Sequence, residues 1–536
     1  MKITRDWFEG KKFGNASFKT VSTKAVRKVI LGLKNTGATG RDQISTKVLK
    51  KFAFILAPVV RHVVNLSIMS STFPDGWKVG VITPLPKSGD KTDPKNWRPI
   101  VINCSLSKVL EVILNRQLVG YMETRAIFSD SQFAYRARRG CGPAWQDLDT
   151  QIQQYRNEGL QVALILTDMS AAFNVIKKEV LVPKLAHYGL DESSCKMITN
   201  YLSSRKTTTK IEEVVSSMIE LDAGVGEGSV VGPTIFICGL CDVPSVAKKT
   251  KMICQEQQVQ AKTSSLEFAD DCSGVAATKT DAELQVAVNV MMSQYKYYFG
   301  VNGLCLNDSK CQVIVFRTRQ MTQQITLGNV PKVKLVKLLG LYIDSSMNFK
   351  RHANEVYSAC IHKINALKKV RNYMTEEGFS KIVEALVHGK IRYLIEIYGR
   401  SPYVQSRLQK IINAAARVTC KTDRYAHVLD MLARLKWWNA ANMYRYELCR
   451  LSQHRTAPYT CTLVIRAATH DHVTISRDMK LVWLKKNRYG RDSFIMSAIR
   501  LYNELRLNPR WYEDLDDFKS QLKAELRICF KNGNIT

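Results

Sequence analysis

Two aspartates stand side by side in EFADDCSG, residues 267–274, directly after Leu266 and Phe268, which alternate as strand residues do. Adjacent carboxylates repel, so Asp270 and Asp271 ask for a divalent cation or a surrounding positive field. A third carboxylate, Asp168, closes the apolar run VALILT at 162–167. Neighbouring side chains on a straight strand point to opposite faces, so the pair can serve one site only at a turn, and the sequence reads as a hairpin tip. A carboxylate trio from two adjacent strands is a minimal set for two metal ions about 3.5–4 Å apart and for in-line phosphoryl transfer. Taken alone, the pair reads as a solvated acidic turn, and its company must decide.

Other chemistries find less support. The CxxC at Cys238 and Cys241 lies in an apolar segment with no second pair or His at ligand spacing, so buried thiols are expected there rather than zinc. His470 and His472 are similarly isolated. The N-terminus, MKITRDWFEGKKFG, has no apolar signal core, so a secretory route is not expected and the 14 cysteines are expected to be reduced. No run of some 18 uncharged apolar residues is present, and no membrane partner is expected. Charge is the strongest global feature: 79 Lys and Arg against 47 Asp and Glu give +32. The cations are spread along the chain, which points to a folded basic channel for a polyanion.

The elements that must position the carboxylates can be read from periodicity. Residues 104–122 place Leu106, Val109, Leu110, Ile113, Leu114, Leu118 and Met122 on one helical stripe. VALILT has the length of a buried strand, and the segment after Asp168 predicts a helix that Gly189 closes. Thr280 and Glu283 form a capping box ahead of a long helix, and strands are expected at 311–316 and 335–343. After about residue 346 the pattern turns helical and basic, which marks a candidate boundary. Trp437 and Trp438 are expected to pack in a core.

The ordered series DMSAAF from Asp168, GVGEGSVVGPTIF at 224–236 and EFADD resembles the motifs of reverse transcriptases. GATGRDQIS (37–45), ITPLPKSGD (82–90), NWRPIVINCSLSKVLE (96–111) and SQFAYRARRG (131–140) resemble the fingers of non-LTR, LINE-type retrotransposon polymerases. GLCLNDSK (303–310) and LLGLYID (338–344) resemble later palm motifs. RLQKIINAAARV (407–418), YGRDSF (489–494) and LYNEL (501–505) resemble the tail of the jockey-like groups.

The resemblance implies an α+β, right-hand polymerase fold with fingers, a palm bearing an antiparallel sheet and a helical thumb, followed by a mostly helical C-terminal tail. The implied division is 1–160 for an N-terminal extension and fingers, 161–345 for the palm, 346–450 for the thumb and 451–536 for a tail of unassigned role. It implies an RNA-directed DNA polymerase in which Asp168, Asp270 and Asp271 hold two Mg²⁺ ions, with Mn²⁺ as an alternative and the Met169 carbonyl as a further ligand. Lys87 and Arg98 would grip the triphosphate. Phe173 would exclude a ribose 2′-hydroxyl, Gly228 would allow close backbone approach beside Glu227, and Lys310 would neutralise the departing pyrophosphate. Lys350, Arg351, Lys363, Lys368, Lys369 and Arg371 would contact duplex phosphates.

The implied partners are an RNA template, a DNA primer or nicked target DNA, and dNTPs. An endonuclease is expected from a region upstream of this chain. An intracellular site is expected, in the nucleus for target-primed synthesis and in the cytoplasm as a ribonucleoprotein. Two positions depart from the family pattern, which has Gln where Glu227 stands and Asp where Asn174 follows Phe173. A carboxylate facing a triphosphate weakens nucleotide binding, so the alternative reading is a retroelement relic that only binds nucleic acid.

Overall fold

The computed structural model describes residues 1–452, except Ser88, Ser170, Ala171, Asp222, Glu227 and 317–329, together with Ser497. Glu227, His470, His472, YGRDSF and LYNEL therefore lie outside the described residues, as does nearly all of 451–536.

Twelve strands among the described residues are β1 Val79–Pro86, β2 Trp97–Ile102, β3 Gln161–Thr167, β4 Arg205–Ile211, β5 Val214–Val215, β6 Ile219–Leu221, β7 Lys262–Phe268, β8 Asp271–Thr278, β9 Gln312–Phe316, β10 Lys332–Val333, β11 Leu335–Leu338 and β12 Leu341–Asp344. One sheet runs β2-β1-β4-β5 with β6 beside β4, a second runs β10-β9-β3-β8-β7, and β11 with β12 forms a hairpin.

β3 is the centre of the second sheet and pairs antiparallel with both β8 and β9. Its VALIL run is apolar on both faces because both are covered. Ala163 and Ile165 face a core built with the helices Thr23–Gly32, Ala53–Ser70, Ser105–Thr124 and Asp281–Val301. Val162 and Leu164 face a second core, shared with the helix Cys141–Asn157 and with the C-terminal helices Lys350–Val370 and Pro402–Cys420. Arg400 joins those helices to Cys141–Asn157 through the fully buried Asp149, Nη2 to Oδ1 at 2.8 Å.

The capping box is present: Thr280 Oγ1 accepts from the Glu283 amide, and Glu283 accepts from the Thr280 amide. Two elements differ from expectation. The stretch 335–343 is not one strand but the β11–β12 hairpin, reversed at Leu339 and Gly340, both at positive φ. The helix expected directly after Asp168 begins only at Lys178, behind a 3₁₀ turn at Ala172–Asn174. The delay has a cause: the Phe173 and Ile176 carbonyls accept hydrogen bonds from the amides of Val225 and Gly224 at 2.9 and 3.0 Å, so the segment is held by a distant loop. The helix ends at His187 and Gly189 follows at φ +96°, as the sequence suggested.

Cys238 and Cys241 are buried in and just beyond the helix Gly232–Gly239, where burial pushes both thiols up. Trp437 is buried, its indole N–H 3.0 Å from Glu384 Oε1, while the half-buried Trp438 ring lies 4.7 Å from that of Tyr446.

A buried ion pair ties the N-terminus to this frame. Lys184 Nζ donates to both Asp242 oxygens at 2.8 and 3.0 Å, and Thr4 and Tyr298 hydroxyls donate to the same carboxylate. Lys184→Met would strand a buried carboxylate, and a loss of about 3–5 kcal/mol, read as a lowered urea midpoint, is expected. Acid should act elsewhere. Burial pushes His352 down to about 4 and His388 down to about 3, so both stay neutral in the fold while the unfolded chain protonates near 6.5. Their contribution is intact above pH 6.5 and falls by about 1.4 kcal/mol per histidine per pH unit below it. His388→Leu should flatten the fall in melting temperature between pH 6.5 and 4 relative to the parent.

Candidate active site

The β3–β8 register ends with Thr167 opposite Cys272, and the Thr167 hydroxyl donates to the Cys272 carbonyl at 2.7 Å. One position further along, Asp168 falls opposite Asp271, with Cα atoms about 4.5–5.5 Å apart in such a pair. On the other side the β3–β9 register ends at Leu166 opposite Gln312, and beyond it the pairing shifts, so that Asn307 rather than Lys310 lies opposite Asp168. Lys310 reaches the same place through its side chain: its Nζ lies 3.5 Å from Asp168 Oδ2. The side chains of Lys310, Asp168 and Asp271 thus form a row at the strand ends. The Asn307 amide donates to the Asp168 carbonyl at 2.9 Å, and Met169 bridges to Leu306, fixing the loop that carries Lys310.

Asp270 and Ala269 form the tip between β7 and β8, while Asp271 is the first residue of β8. Ala269 takes φ +57°, and its amide donates to Gln132 Oε1 at 3.2 Å, which holds the tip in a conformation that alanine rarely adopts. Burial raises both aspartates, and each is raised further by its carboxylate neighbours; Asp271 is pushed up to about 6. Arg98 opposes the shift at Asp270, so β2 brings its guanidinium within electrostatic reach of the tip.

Arg98 and Lys87 belong to the β1–β2 ribbon. Leu85 pairs with Arg98, and the Lys87 amide donates to the Asn96 carbonyl at 2.7 Å. Lys87 lies two residues beyond Leu85, so the two cations are diagonal neighbours on one face. Both are exposed.

Phe173 is half-buried, stacked on Phe236 at 4.6 Å and met edge-on by Tyr135 at 6.3 Å. Phe236 and Tyr135 were quoted in the sequence motifs without a role, and only the fold brings their rings to Phe173. Gly228, at φ +126°, makes its close approach to the protein itself, since a Cβ there would lie 2.3 Å from the Val101 carbonyl of β2. Gly224 presses likewise on the Asn174 backbone.

Glu111 is the residue that sequence reasoning missed. Fully buried, it accepts from the Val230 amide at 2.6 Å and the Val231 amide at 3.4 Å, and so holds the glycine loop against the helix Ser105–Thr124. Ser107 donates to the same carboxylate, the Tyr201 hydroxyl lies 3.5 Å away, and Arg205 supplies opposing charge. A glutamate at a buried position of an apolar helical stripe was the available signal.

Of the six cations expected on phosphates, Arg371 is corrected. It is buried, donating to the Thr419 carbonyl from Nε at 2.9 Å and Nη2 at 2.6 Å and to the Met374 carbonyl from Nη1, so its fork serves a helix C-terminus. Lys363 reaches the Leu386 carbonyl at 3.1 Å, and Arg351 pairs with Glu355. Lys350 lies over the Tyr403 ring, and Lys368 and Lys369 are exposed. At 3.6 residues per turn, Lys350 and Lys368 share one flank of their helix, with Arg351 and Lys369 about 100° away.

Asp168, Asp270 and Asp271 offer carboxylate oxygens, the hard ligands that Mg²⁺ prefers, and their mutual repulsion is of the kind a divalent ion relieves. Among the described residues no three His, Cys, Asp or Glu side chains already converge as a metal-ligand group. The set fits the ions in donor chemistry.

The chain thus has a mixed helix and sheet fold with Asp168 and Asp271 at the ends of paired strands. Residues 85–343 match the family model described as reverse transcriptase (RNA-dependent DNA polymerase). It is similar to a probable RNA-directed DNA polymerase from transposon X-element of Drosophila melanogaster, 23% identical over 402 residues, which cover 73% of this chain and 43% of the relative. It is also similar to the RNA-directed DNA polymerase from mobile element jockey of Drosophila funebris, 24% identical over 387 residues, 71% of this chain and 41% of that one. The chain thus spans about two-fifths of the length of these curated relatives. Among solved structures, apo telomerase from Candida tropicalis, truncated from its C-terminal domain, aligns with a TM-score of 0.35 and 13% identity over 57% of this chain and 67% of that one, too weak a likeness to fix the arrangement of elements.

Glu111→Ala should leave two buried amides without their acceptor, and a loss of about 2–4 kcal/mol in stability is expected. Glu111→Gln keeps an acceptor oxygen and should recover more than half of that loss in urea titrations.

Proposed function

We propose that this chain is the polymerase portion of a non-LTR retrotransposon and extends a primer 3′-hydroxyl with dNTPs on an RNA template. The observation that carries the reading is the row Lys310, Asp168, Asp271, with Asp270 at the adjoining tip. The sheet around β3 serves as palm (161–345), the β1–β2 ribbon with the N-terminal helices as fingers (1–160), and the helices from Lys350 as thumb (346–450). We place its work in the nucleus, with cytoplasmic assembly on RNA.

Asp168, Asp270 and Asp271 would hold two Mg²⁺ ions, with the Met169 carbonyl as a further ligand. The ions, when bound, lower the pKa of the attacking hydroxyl and stabilise charge on the phosphates. The chain's own groups do the rest. Lys87 and Arg98, on one face of their ribbon, orient the triphosphate, the guanidinium by its fork and the ammonium as a point charge. Lys310, beside Asp168, offsets negative charge as pyrophosphate departs. Phe173, backed by Phe236, stands as the wall against a 2′-hydroxyl, the group that distinguishes a ribonucleotide. The exposed flanks of the helix Lys350–Val370 carry cations for duplex phosphates, and such contacts are sensitive to salt and nearly blind to sequence.

The test is primer extension on poly-A RNA with oligo-dT, Mg²⁺ and dTTP, comparing the parent with an Asp270→Asn/Asp271→Asn variant. Extension by the parent, reduced roughly 10²–10³-fold or more in the variant, is expected. Salt-sensitive duplex binding without extension by either protein would instead favour the binding-only relic, with Glu227→Gln as the restoring variant. Phe173→Ala should raise incorporation of rUTP relative to dTTP.

A further inference from the structure

The helix Ala53–Ser70 buries only one side. Ala53, Ala57, Val60, Val64 and Ile68 pack inward, chiefly against the helix Thr23–Gly32. Its outer side carries Phe52, Ile55, Val59, His62, Leu66 and Met69, all exposed, with Ile55 at 71% and Met69 at 75%. Their spacing of 3, 4, 3, 4 and 3 residues is a heptad seam, the pattern that one helix offers to another. Such a face is rarely left to water. By length and composition the helix could also cross a membrane, although a third of it is buried in the protein and Arg61 interrupts it.

The surroundings restrict the occupant. Residues 11–74 hold twelve Lys and Arg against one acidic residue, Asp42. Lys47, Lys50 and Lys51 mark the start of the seam, where Lys51 lies 6.0 Å from the Phe52 ring. A second copy laid parallel would bring the same cations against these, whereas an acidic, amphipathic segment complements them.

This chain contains a segment of that chemistry outside the described residues. In WYEDLDDFKSQLKAEL, residues 511–526, Trp511, Leu515, Phe518 and Leu522 recur at intervals of 4, 3 and 4, and Glu513, Asp514, Asp516 and Asp517 crowd its beginning. Laid parallel to the helix Ala53–Ser70, its carboxylates meet Lys47, Lys50 and Lys51 while its apolar positions follow the seam from Phe52 onward. The 58 residues from 453 to 510 could span up to about 190 Å when extended, more than a chain of this size requires. The geometry of the seam and the charges beside it point to residues 511–526 docking in cis on the exposed seam of Ala53–Ser70. The tail would then brace the N-terminal helices, independently of whether the chain polymerises.

The test uses the full chain with Val59 replaced by p-benzoylphenylalanine, an exposed position whose change leaves the inner core intact. Irradiation of a mixture of ¹⁴N and ¹⁵N chains, followed by peptide mapping, should give a crosslink within 511–526 between peptides of one isotope. Leu515→Asp/Phe518→Asp should lower its yield about tenfold. Lys50→Glu/Lys51→Glu should lower it severalfold, with recovery on adding Glu513→Lys/Asp514→Lys. Crosslinks between unlike isotopes, to other parts of the chain, or to added phosphatidylserine vesicles in place of the tail would overturn the proposal, as would no crosslink at all.

Discussion

The antiparallel register of β3 against β8 and β9 is the constraint on which the site depends. Side chains alternate along a strand, so a slip of one residue would turn Asp168 to the opposite face and exchange the two cores that β3 separates. The apolar contacts of Ala163 and Ile165 on one side and Val162 and Leu164 on the other resist that slip. The Thr167 hydroxyl on the Cys272 carbonyl closes the ladder at the end nearest the carboxylates. Two sets of core helices therefore act through one strand to hold a single aspartate in place.

Like charges gathered at one point are unfavourable, and the surrounding structure is arranged to contain them. Lys310 stands beside Asp168, Arg98 acts on Asp270 from the β1–β2 ribbon, and Asp271 retains affinity for a proton up to about pH 6. The tip itself is held with Ala269 at positive φ, fastened by Gln132. A residue in a sparsely populated conformation thus stands beside mutually repelling charges.

The glycine loop shows how two separated motifs become one surface. Its amides at Gly224 and Val225 bind the segment after Asp168, its Gly228 lies on β2, and its far end is held by Glu111. Phe173, Arg98 and the loop are thereby coupled through backbone contacts rather than through a ligand. Gly228, expected beside the nucleic acid, owes its lack of a side chain to the Val101 carbonyl.

Much of this was legible in the residues. The carboxylate trio, the buried strand before Asp168, the capping box at Thr280 and the long helix from 105 follow from charge, periodicity and local hydrogen bonding, which act over a few residues and so leave their mark in sequence. Tertiary structure decided what depends on distant partners. Lys310 meets Asp168 because the Asn307 amide on the Asp168 carbonyl fixes the loop that carries it, and Glu111 caps a loop far along the chain; both contacts cross more than a hundred positions. Arg371, a plausible phosphate ligand by charge, turns inward because the Thr419 carbonyl at a helix end needs its donors. LLGLYID divides into a hairpin because Leu339 and Gly340 reverse the chain at positive φ, a choice its apolar pattern does not encode. Composition and spacing determine which groups are available and which elements they ride on, whereas packing decides which of them meet, since burial and register are properties of the whole fold.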